Sequence, residues 1–421
     1  MYHWNDIKIQ IKGISGKGFF NLLTANVFIQ IISFGAQLFV AGILSPEDIG
    51  RIKILQTFLA IFTIFGSMGF NSSTLKLCSE HRTEEEKKQI FRAGIFFTAI
   101  STLSAYLIVI LLNSIGLLSQ DSSIRTLIPL ALFPLISSAF FSLYIGYHQA
   151  QKKIKLISNL TFINKLLSLF LIIIFTSYFG IQGYYMAYNI SFIVLLITIY
   201  IITKKISGNN KVHLSKKLFN LHWNYARPSF YSNILATLSS YVDILLISFM
   251  VKDIQEIGYY SFALTLTIIF KLLPSTVQQI SIPYFSNFAS SQKQILYTYN
   301  RYSKILIFII VLTCIVALLI APFLIDLIFK GKYNSSIPYF IPLAIGWSIL
   351  QFNQIQAAAL FGIGKMNQIA KSQFILLFFN TIIMFIAIKA WGLTGASYAS
   401  IVCAVFSVSL LRFYFRQSIK S

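Results

Sequence analysis

The chain has 421 residues, of which 56% are hydrophobic and only 11% are charged, and its mean hydropathy is +0.74. That composition excludes an ordinary soluble domain and is typical of an integral membrane protein. The formal net charge of +22 would suggest nucleic-acid binding in a soluble protein. Here most of the Lys and Arg residues lie between apolar runs, where such charges orient a protein in the membrane, so we expect no nucleic-acid partner.

Long apolar runs recur along the whole chain. A membrane helix needs about 20 mostly apolar residues to cross roughly 30 Å of hydrocarbon. Runs of this kind begin near Gly18, Ile52, Arg92, Thr126, Leu156, Gln182, Pro228, Glu256, Ser303, Ser336, Gln368 and Gly392. The sequence therefore predicts an all-α integral membrane protein with about twelve transmembrane helices.

The basic residues predict the orientation of these helices. Most of them fall in loops on the side of the N-terminus, which predicts that both termini are cytoplasmic. Arg51 and Lys53 are among the few that we expect in external loops.

The first helix carries polar residues on one face. Asn26, Gln30, Ser33 and Gln37 recur at helical steps, so their side chains share a stripe. Such a stripe either lines a cavity or forms hydrogen bonds between helices.

Lys165 lies inside the predicted fifth helix. An ionisable group within a span costs about 2.5–3.5 kcal/mol on insertion scales, so it usually faces protein or a water-filled cavity. The alternative is that its long side chain places the ammonium at the cytoplasmic interface.

A polar and basic segment, residues 204–227, divides the chain near its midpoint. We predict that it links an N-terminal six-helix lobe, residues 1–203, to a C-terminal six-helix lobe, residues 228–421. Shifting the sequence by 212 positions superposes "YFGIQGYYMAY" on "AWGLTGASYAS", and a shift of 208 superposes "EDIGR" on "QEIGY". Since each half has an even number of helices, this predicts two parallel repeats forming two lobes around a central cavity.

The seventh and eighth helices each contain a charged residue. Asp243 shares a face with Ser240 and Asn233 on the seventh helix, and Lys271 lies within a polar stripe on the eighth. Pro274 is expected to kink the eighth helix just after Lys271. Two interpretations remain for the charges: both line a cavity, or Asp243 and Lys271 neutralise each other.

Catalytic motifs are missing from the sequence. The histidines do not have metal-ligand spacing, the three cysteines do not suggest a disulfide framework, and we find no phosphate-binding loop. We therefore predict a protein that is not an enzyme and that needs neither a cofactor nor a metal.

Several stretches resemble a known family. They are "LSPEDIGRIKILQTF", "ARPSFYSNILATLSSYVDILLISFM", "IGYYSFALTL", "SIPYFSNFASSQK" and the hinges "FGIQG" and "WGLTG". Together with twelve spans they resemble the Wzx-type O-antigen flippases, in the polysaccharide-exporter branch of the multidrug/oligosaccharidyl-lipid/polysaccharide superfamily. The resemblance implies alternating-access transport of undecaprenyl-pyrophosphate-linked repeat units from the cytoplasmic to the periplasmic leaflet of a bacterial inner membrane, for lipopolysaccharide biosynthesis.

The resemblance also implies which residues bind this substrate. It places the cavity among the first, second, seventh and eighth helices. The expected cavity residues are Lys271, Asp243, Asn26, Ser240, Asn233, Lys165 and Gln30. Lysines would pair with the diphosphate, polar side chains would bind sugar hydroxyls, and Asp243 is the candidate site for proton or cation coupling.

Two other functions stay open at this point. A multidrug and toxin extrusion antiporter would have the same fold. A membrane O-antigen polymerase or ligase would also span the membrane many times, but these resemble proteins with one large external loop, and every external loop here is short. The expected partners are the lipid-linked oligosaccharide, membrane lipids and other O-antigen assembly proteins.

Overall fold

The computed structural model describes residue 30 and residues 32–207, 215–287 and 291–420. Within these residues the regular secondary structure is helical, which confirms the all-α prediction. Asn26 lies outside the described residues. In chain order the helices are α1 (Ile32–Ile43), α2 (Pro46–Ser67), α3 (Phe70–Ser79), α4 (Glu84–Ser114), α5 (Ser122–Leu132), α6 (Pro134–Ala150), α7 (Ile154–Ser207), α8 (Lys216–Met250), α9 (Ile254–Leu266), α10 (Ile269–Asn287), α11 (Gln292–Phe329), α12 (Ile337–Leu350), α13 (Asn353–Gly362) and α14 (Met366–Lys420).

Eight stretches of these helices are long and apolar enough to cross a membrane. Two of them, Lys155–Ile202 and Met366–Ile419, contain 48 and 54 residues, and at about 1.5 Å per residue each is long enough for two crossings. Adding α1 and the α12–α13 pair brings the described residues to twelve crossings. The predicted number of transmembrane helices is therefore confirmed.

The two long helices, α7 and α14, turn at equivalent glycines. Gly180 in α7 has φ 58° and ψ −139°, and Gly392 in α14 has φ 60° and ψ −143°. A residue with a Cβ is strained in this region of backbone space, which explains the glycine at both sites. The shift of 212 positions seen in the sequence therefore relates two hinges of nearly identical backbone geometry.

The chain forms two compact units. The first contains residues up to Val40, Phe62–Val109 and Phe133–Phe230, and the second contains Ala41–Ile61, Ile110–Leu132 and Tyr231–Ser421. This division follows contacts in space and does not test the predicted halves along the chain, which stay a prediction.

Part of the predicted linker belongs to the core of the first unit. Helix α8 begins at Lys216, twelve residues before the expected start of the seventh span at Pro228. Its His222 is fully buried, with Nδ1 2.9 Å from Ser73 Oγ and Nε2 3.0 Å from the carbonyl oxygen of Ile90. Because both ring nitrogens are hydrogen-bonded, this polar side chain is tolerated in the core.

In the second unit, the glycines of "EDIGR" and "QEIGY" pack against each other. A Cβ on Gly50 would lie 2.7 Å from the carbonyl oxygen of Ile254, and a Cβ on Gly258 would lie 1.8 Å from that of Pro46. The shift of 208 positions relates Pro46 to Ile254 and Gly50 to Gly258, so the contact is reciprocal. The start of α2 and the start of α9 thus approach at backbone distance.

A lysine after α11 stabilises the end of α1 in the same unit. Lys332 Nζ donates hydrogen bonds to the carbonyl oxygens of Ala41, Gly42 and Leu44. These carbonyls have lost their helical partners at the end of α1, and a cation is favourable at a helix C-terminus. Burial lowers the pKa of Lys332, opposed by the negative charge of nearby Asp48 and Glu47.

Candidate functional site: a polar cavity in the second unit

A cavity of about 450 Å³ lies within the second unit. Its lining comes from α8, α10, the α12–α13 pair and α14. About half of the lining residues are uncharged and polar, in a unit made largely of apolar helices. The charged residues among them are Asp243 and Lys271.

Helix α8 contributes Ser239, Ser240 and Asp243 to the cavity. The Asp243 side chain is half-buried, and it interacts electrostatically with Lys53 of α2. The sequence placed Lys53 in an external loop, because the second apolar run was expected to start near Ile52. The structure corrects this: α2 begins at Pro46, and Lys53 lies two turns inside it.

Lys271 follows a break between α9 and α10. The amides of Thr267, Ile268, Phe270 and Lys271 each bond to the carbonyl three residues earlier. This is 3₁₀ geometry, which is frequent at functional hinges within longer helices. The break lies about one turn before Lys271, whereas the sequence predicted a kink at Pro274, just after it. The ammonium side chain of Lys271 is exposed toward the cavity.

Among the described residues, no ion pair within 4 Å joins Asp243 to Lys271. Both residues line the same cavity, and Asp243 lies within electrostatic range of Lys53, also without an ion pair within 4 Å. Of the two interpretations of these charges, the structure therefore favours separate positions around one cavity over mutual neutralisation.

The tenth membrane helix is interrupted at the cavity. Helix α12 ends at Leu350 and α13 begins at Asn353, and the amides of Gln351 and Phe352 bond to carbonyls three residues earlier. Gln351, Asn353 and Gln354 line the cavity at this break. A broken helix inside the membrane is tolerated where it lines a cavity or is buried in protein.

Helix α14 contributes residues from both sides of its hinge. Gln373 and Asn380 lie on the arm before Gly392, and Ser400 and Ser407 lie on the arm after it. Asn353 Nδ2 donates a 2.7 Å hydrogen bond to Ser407 Oγ, which joins α13 to α14 at the cavity wall.

The structure brings together three of the seven predicted site residues: Asp243, Lys271 and Ser240. Asn233 is half-buried on α8, and Lys165 is half-buried on α7 in the first unit. Gln30 is half-buried in the same unit. These three do not line this cavity. Among the described residues, no group of three or more His, Cys, Asp or Glu side chains is arranged to hold a metal ion.

Sequence reasoning missed the five amide side chains Gln351, Asn353, Gln354, Gln373 and Asn380. A signal was present, because Gln373 and Asn380 are seven residues apart and therefore share a helix face. The sequence does not indicate that this face meets the break after Leu350, since that depends on how α12 and α14 pack.

Broken membrane helices around a polar cavity define the class as a multispanning membrane protein with a transporter fold. Residues 15–289, about two thirds of the chain, match the polysaccharide biosynthesis protein family, and the chain belongs to that family. It is 22% identical over 408 residues to the capsular polysaccharide biosynthesis protein CapF of Staphylococcus aureus, covering 95% of this chain and 98% of the relative.

Two solved structures have a similar fold. The lipid II flippase MurJ, in an inward closed conformation, aligns with a TM-score of 0.76 at 18% identity, over 96% of this chain and 88% of that chain. An inward-facing multidrug resistance MATE family transporter aligns with a TM-score of 0.69 at 15% identity, over 94% and 95% of the two chains. At these identities the likeness shows the fold alone.

Proposed function

We propose that the protein is a flippase for lipid-linked oligosaccharides. It moves an undecaprenyl-pyrophosphate-linked O-antigen or related polysaccharide repeat unit from the cytoplasmic to the periplasmic leaflet by alternating access. The observation that carries the proposal is the cavity with one ammonium, one carboxylate and nine uncharged polar side chains, in a chain of the polysaccharide biosynthesis family.

Lys271 supplies the charge that such a substrate needs. A diphosphate that leaves water requires a cationic partner, and hydrogen bonds to ionised groups are roughly twice as strong as neutral ones. Lys271 is exposed toward the cavity and has no ion pair within 4 Å among the described residues. Its ammonium is therefore available to a phosphate group.

Asp243 is the proposed coupling residue. It lines the cavity and also interacts with Lys53, so a proton or cation bound at the carboxylate changes its interaction with a cation on another helix. An ionisable residue within a membrane helix is a functional candidate because of the cost of inserting it. Gln30, Asn233 and Lys165, which do not line this cavity, and Asn26, which lies outside the described residues, stay proposed substrate-binding residues.

A multidrug antiporter is the second candidate, because a MATE family transporter shares the fold. An antiporter for hydrophobic organic cations would be expected to have a mainly aromatic and acidic pocket. The cavity has one acidic residue, Asp243, and one aromatic residue, Trp347, and its lysine and five amides favour the flippase. A polymerase or ligase remains a third and weaker candidate.

The test is complementation of a deletion strain. We expect deletion to abolish surface polysaccharide, and wild-type protein at normal expression to restore it. Lys271→Ala and Asp243→Asn should each restore less than about a tenth, since each removes a charged group from the cavity. Lys389→Ala, at an exposed lysine away from the cavity, is the matched control and should complement fully.

Two results would contradict this proposal. Surface polysaccharide that persists without the gene excludes the function. Hypersensitivity to cationic drugs on deletion, with polysaccharide intact, selects the antiporter. Full complementation by both cavity variants leaves the function standing and removes the site assignment.

A further inference from the structure

We infer that the amide cluster, defined as Gln351, Asn353, Gln354, Gln373 and Asn380, binds the sugar part of the substrate while Lys271 holds its phosphate end. This inference rests on the proposed function and goes beyond it by assigning the glycan to named residues in the second unit. Its ligand class is a neutral polyhydroxylated chain attached to an anionic lipid.

The chemistry of the cluster matches sugar hydroxyls. Each amide carries two donors on nitrogen and an oxygen that accepts, and a hydroxyl donates one hydrogen bond and accepts others. The amide oxygens of Asn353 and Asn380 are buried and have no hydrogen-bond partner among the described residues. Gln351 is almost fully buried, and its oxygen has only a long 3.5 Å contact from Gln354. Buried acceptors are normally satisfied, so a ligand hydroxyl that reaches these oxygens after a small turn of the side chains would supply the missing hydrogen bond.

The orientation of Asn353 is fixed before any ligand binds. Its amide nitrogen donates to Ser407, which leaves the oxygen as the free end of the side chain.

The size and lining of the cavity favour a sugar over an ion. About 450 Å³ lies in the range of small-molecule sites and far exceeds the roughly 30 Å³ that one water molecule occupies in the liquid. Half-buried Trp347 also lines the cavity and offers a flat apolar surface to the C–H face of a pyranose ring. The ammonium of Lys271 in the same space opposes a bare cation.

The cluster is longer than a single sugar ring. Gln373 and Asn380 are seven residues apart on one arm of α14, which is about 10 Å along the helix axis. We therefore expect binding to strengthen as sugars are added to the lipid.

The experiment compares two probes on the purified full chain in lipid nanodiscs. One is undecaprenyl diphosphate without sugar, and the other is the lipid-linked oligosaccharide extracted from the deletion strain. Binding is followed by the fluorescence of Trp347 in a variant whose other three tryptophans are Phe. The variants that remove an amide are Gln373→Leu and Asn380→Leu, and the matched control is Thr161→Val, at the position that the 212-residue shift relates to Gln373.

We expect each Leu variant to weaken binding of the oligosaccharide probe about 5- to 10-fold, as for the loss of one or two hydrogen bonds. Binding of the sugar-free probe should weaken less than about 2-fold. Thr161→Val should change neither. Equal weakening of both probes, or of neither, overturns the inference. The inference is also overturned if NaCl alone changes the fluorescence of Trp347 and Asn380→Leu abolishes that change. Such a result would show that the amides bind a cation.

The failure of the inference is distinguishable from the failure of the proposed function. If wild-type protein binds neither probe, the flippase proposal fails. If Lys271→Ala weakens binding of both probes, the flippase proposal stands. If the amide variants then weaken binding of both probes equally, or of neither, only the assignment of the sugar site fails.

Discussion

The two hinged helices α7 and α14 have the same backbone and different surfaces. Their hinge dihedrals agree within a few degrees, at Gly180 and Gly392. Gly183 and Gly395 make the same close contact, since a Cβ would lie 1.9 Å from the carbonyl oxygen of Phe175 and 2.2 Å from that of Ala387. Phe175 and Ala387 are themselves 212 positions apart, so the repeat extends to the backbone contacts beside each hinge.

The side chains at equivalent positions serve different purposes. Asn380, Ser400 and Ser407 line the cavity, and the same shift relates them to Ser168, Tyr188 and Leu195. Leu195 lies in the buried core of the first unit, and Tyr188 stacks on Tyr184. The repeat therefore specifies backbone geometry, whereas the chemistry of a site is set separately in each half.

The largest effect is expected at the close-packed glycines. Gly183→Ala and Gly395→Ala each place a methyl group inside contact distance of a backbone carbonyl, which cannot rotate away. We expect each to lower the free energy of unfolding by about 3 kcal/mol, measured by reversible SDS titration. Gly364→Ala is the comparison, because positive φ at that position adds strain without any close contact. A loss at only one of the two close-packed glycines would contradict the equivalence of the hinges.

A smaller effect is expected at the hinge glycines themselves. Gly180 and Gly392 have open space where a Cβ would lie, so alanine there suffers backbone strain without a clash. We expect Gly180→Ala and Gly392→Ala to cost about 2 kcal/mol each by the same titration. Values that differ from each other by more than about 1 kcal/mol would show that packing in one half relieves the strain.

The smallest effect separates the site from the scaffold. Ser407→Ala removes the acceptor for Asn353, so we expect about 1 kcal/mol of lost stability together with a several-fold weaker binding of the oligosaccharide probe. Ser177→Ala on α7 is the control, since that hydroxyl bonds to the carbonyl of Ile173 in its own helix. Unchanged binding with Ser407→Ala would mean that Asn353 needs no anchor.

Much of the fold was predictable, because apolar runs of membrane length and repeated glycines are local features of the chain. The helix boundaries were harder to predict. Helix α8 starts at Lys216 because burial of His222 in the core of the first unit stabilises its first turns. The break after Leu350 could not be predicted either, because no glycine or proline marks it. It consists of backbone hydrogen bonds from Gln351 and Phe352 to carbonyls three residues earlier.

Hydropathy and charge along the chain were sufficient to predict the class of the protein, its helices and two charged residues of the cavity, Asp243 and Lys271. Burying either charge in lipid is costly, so their presence in apolar runs was already informative. Helix packing in the folded protein brings Lys53 within electrostatic range of Asp243 and places five amides around the same cavity as Lys271. Those residues lie on helices far apart in the chain, and their association depends on packing that no local pattern records.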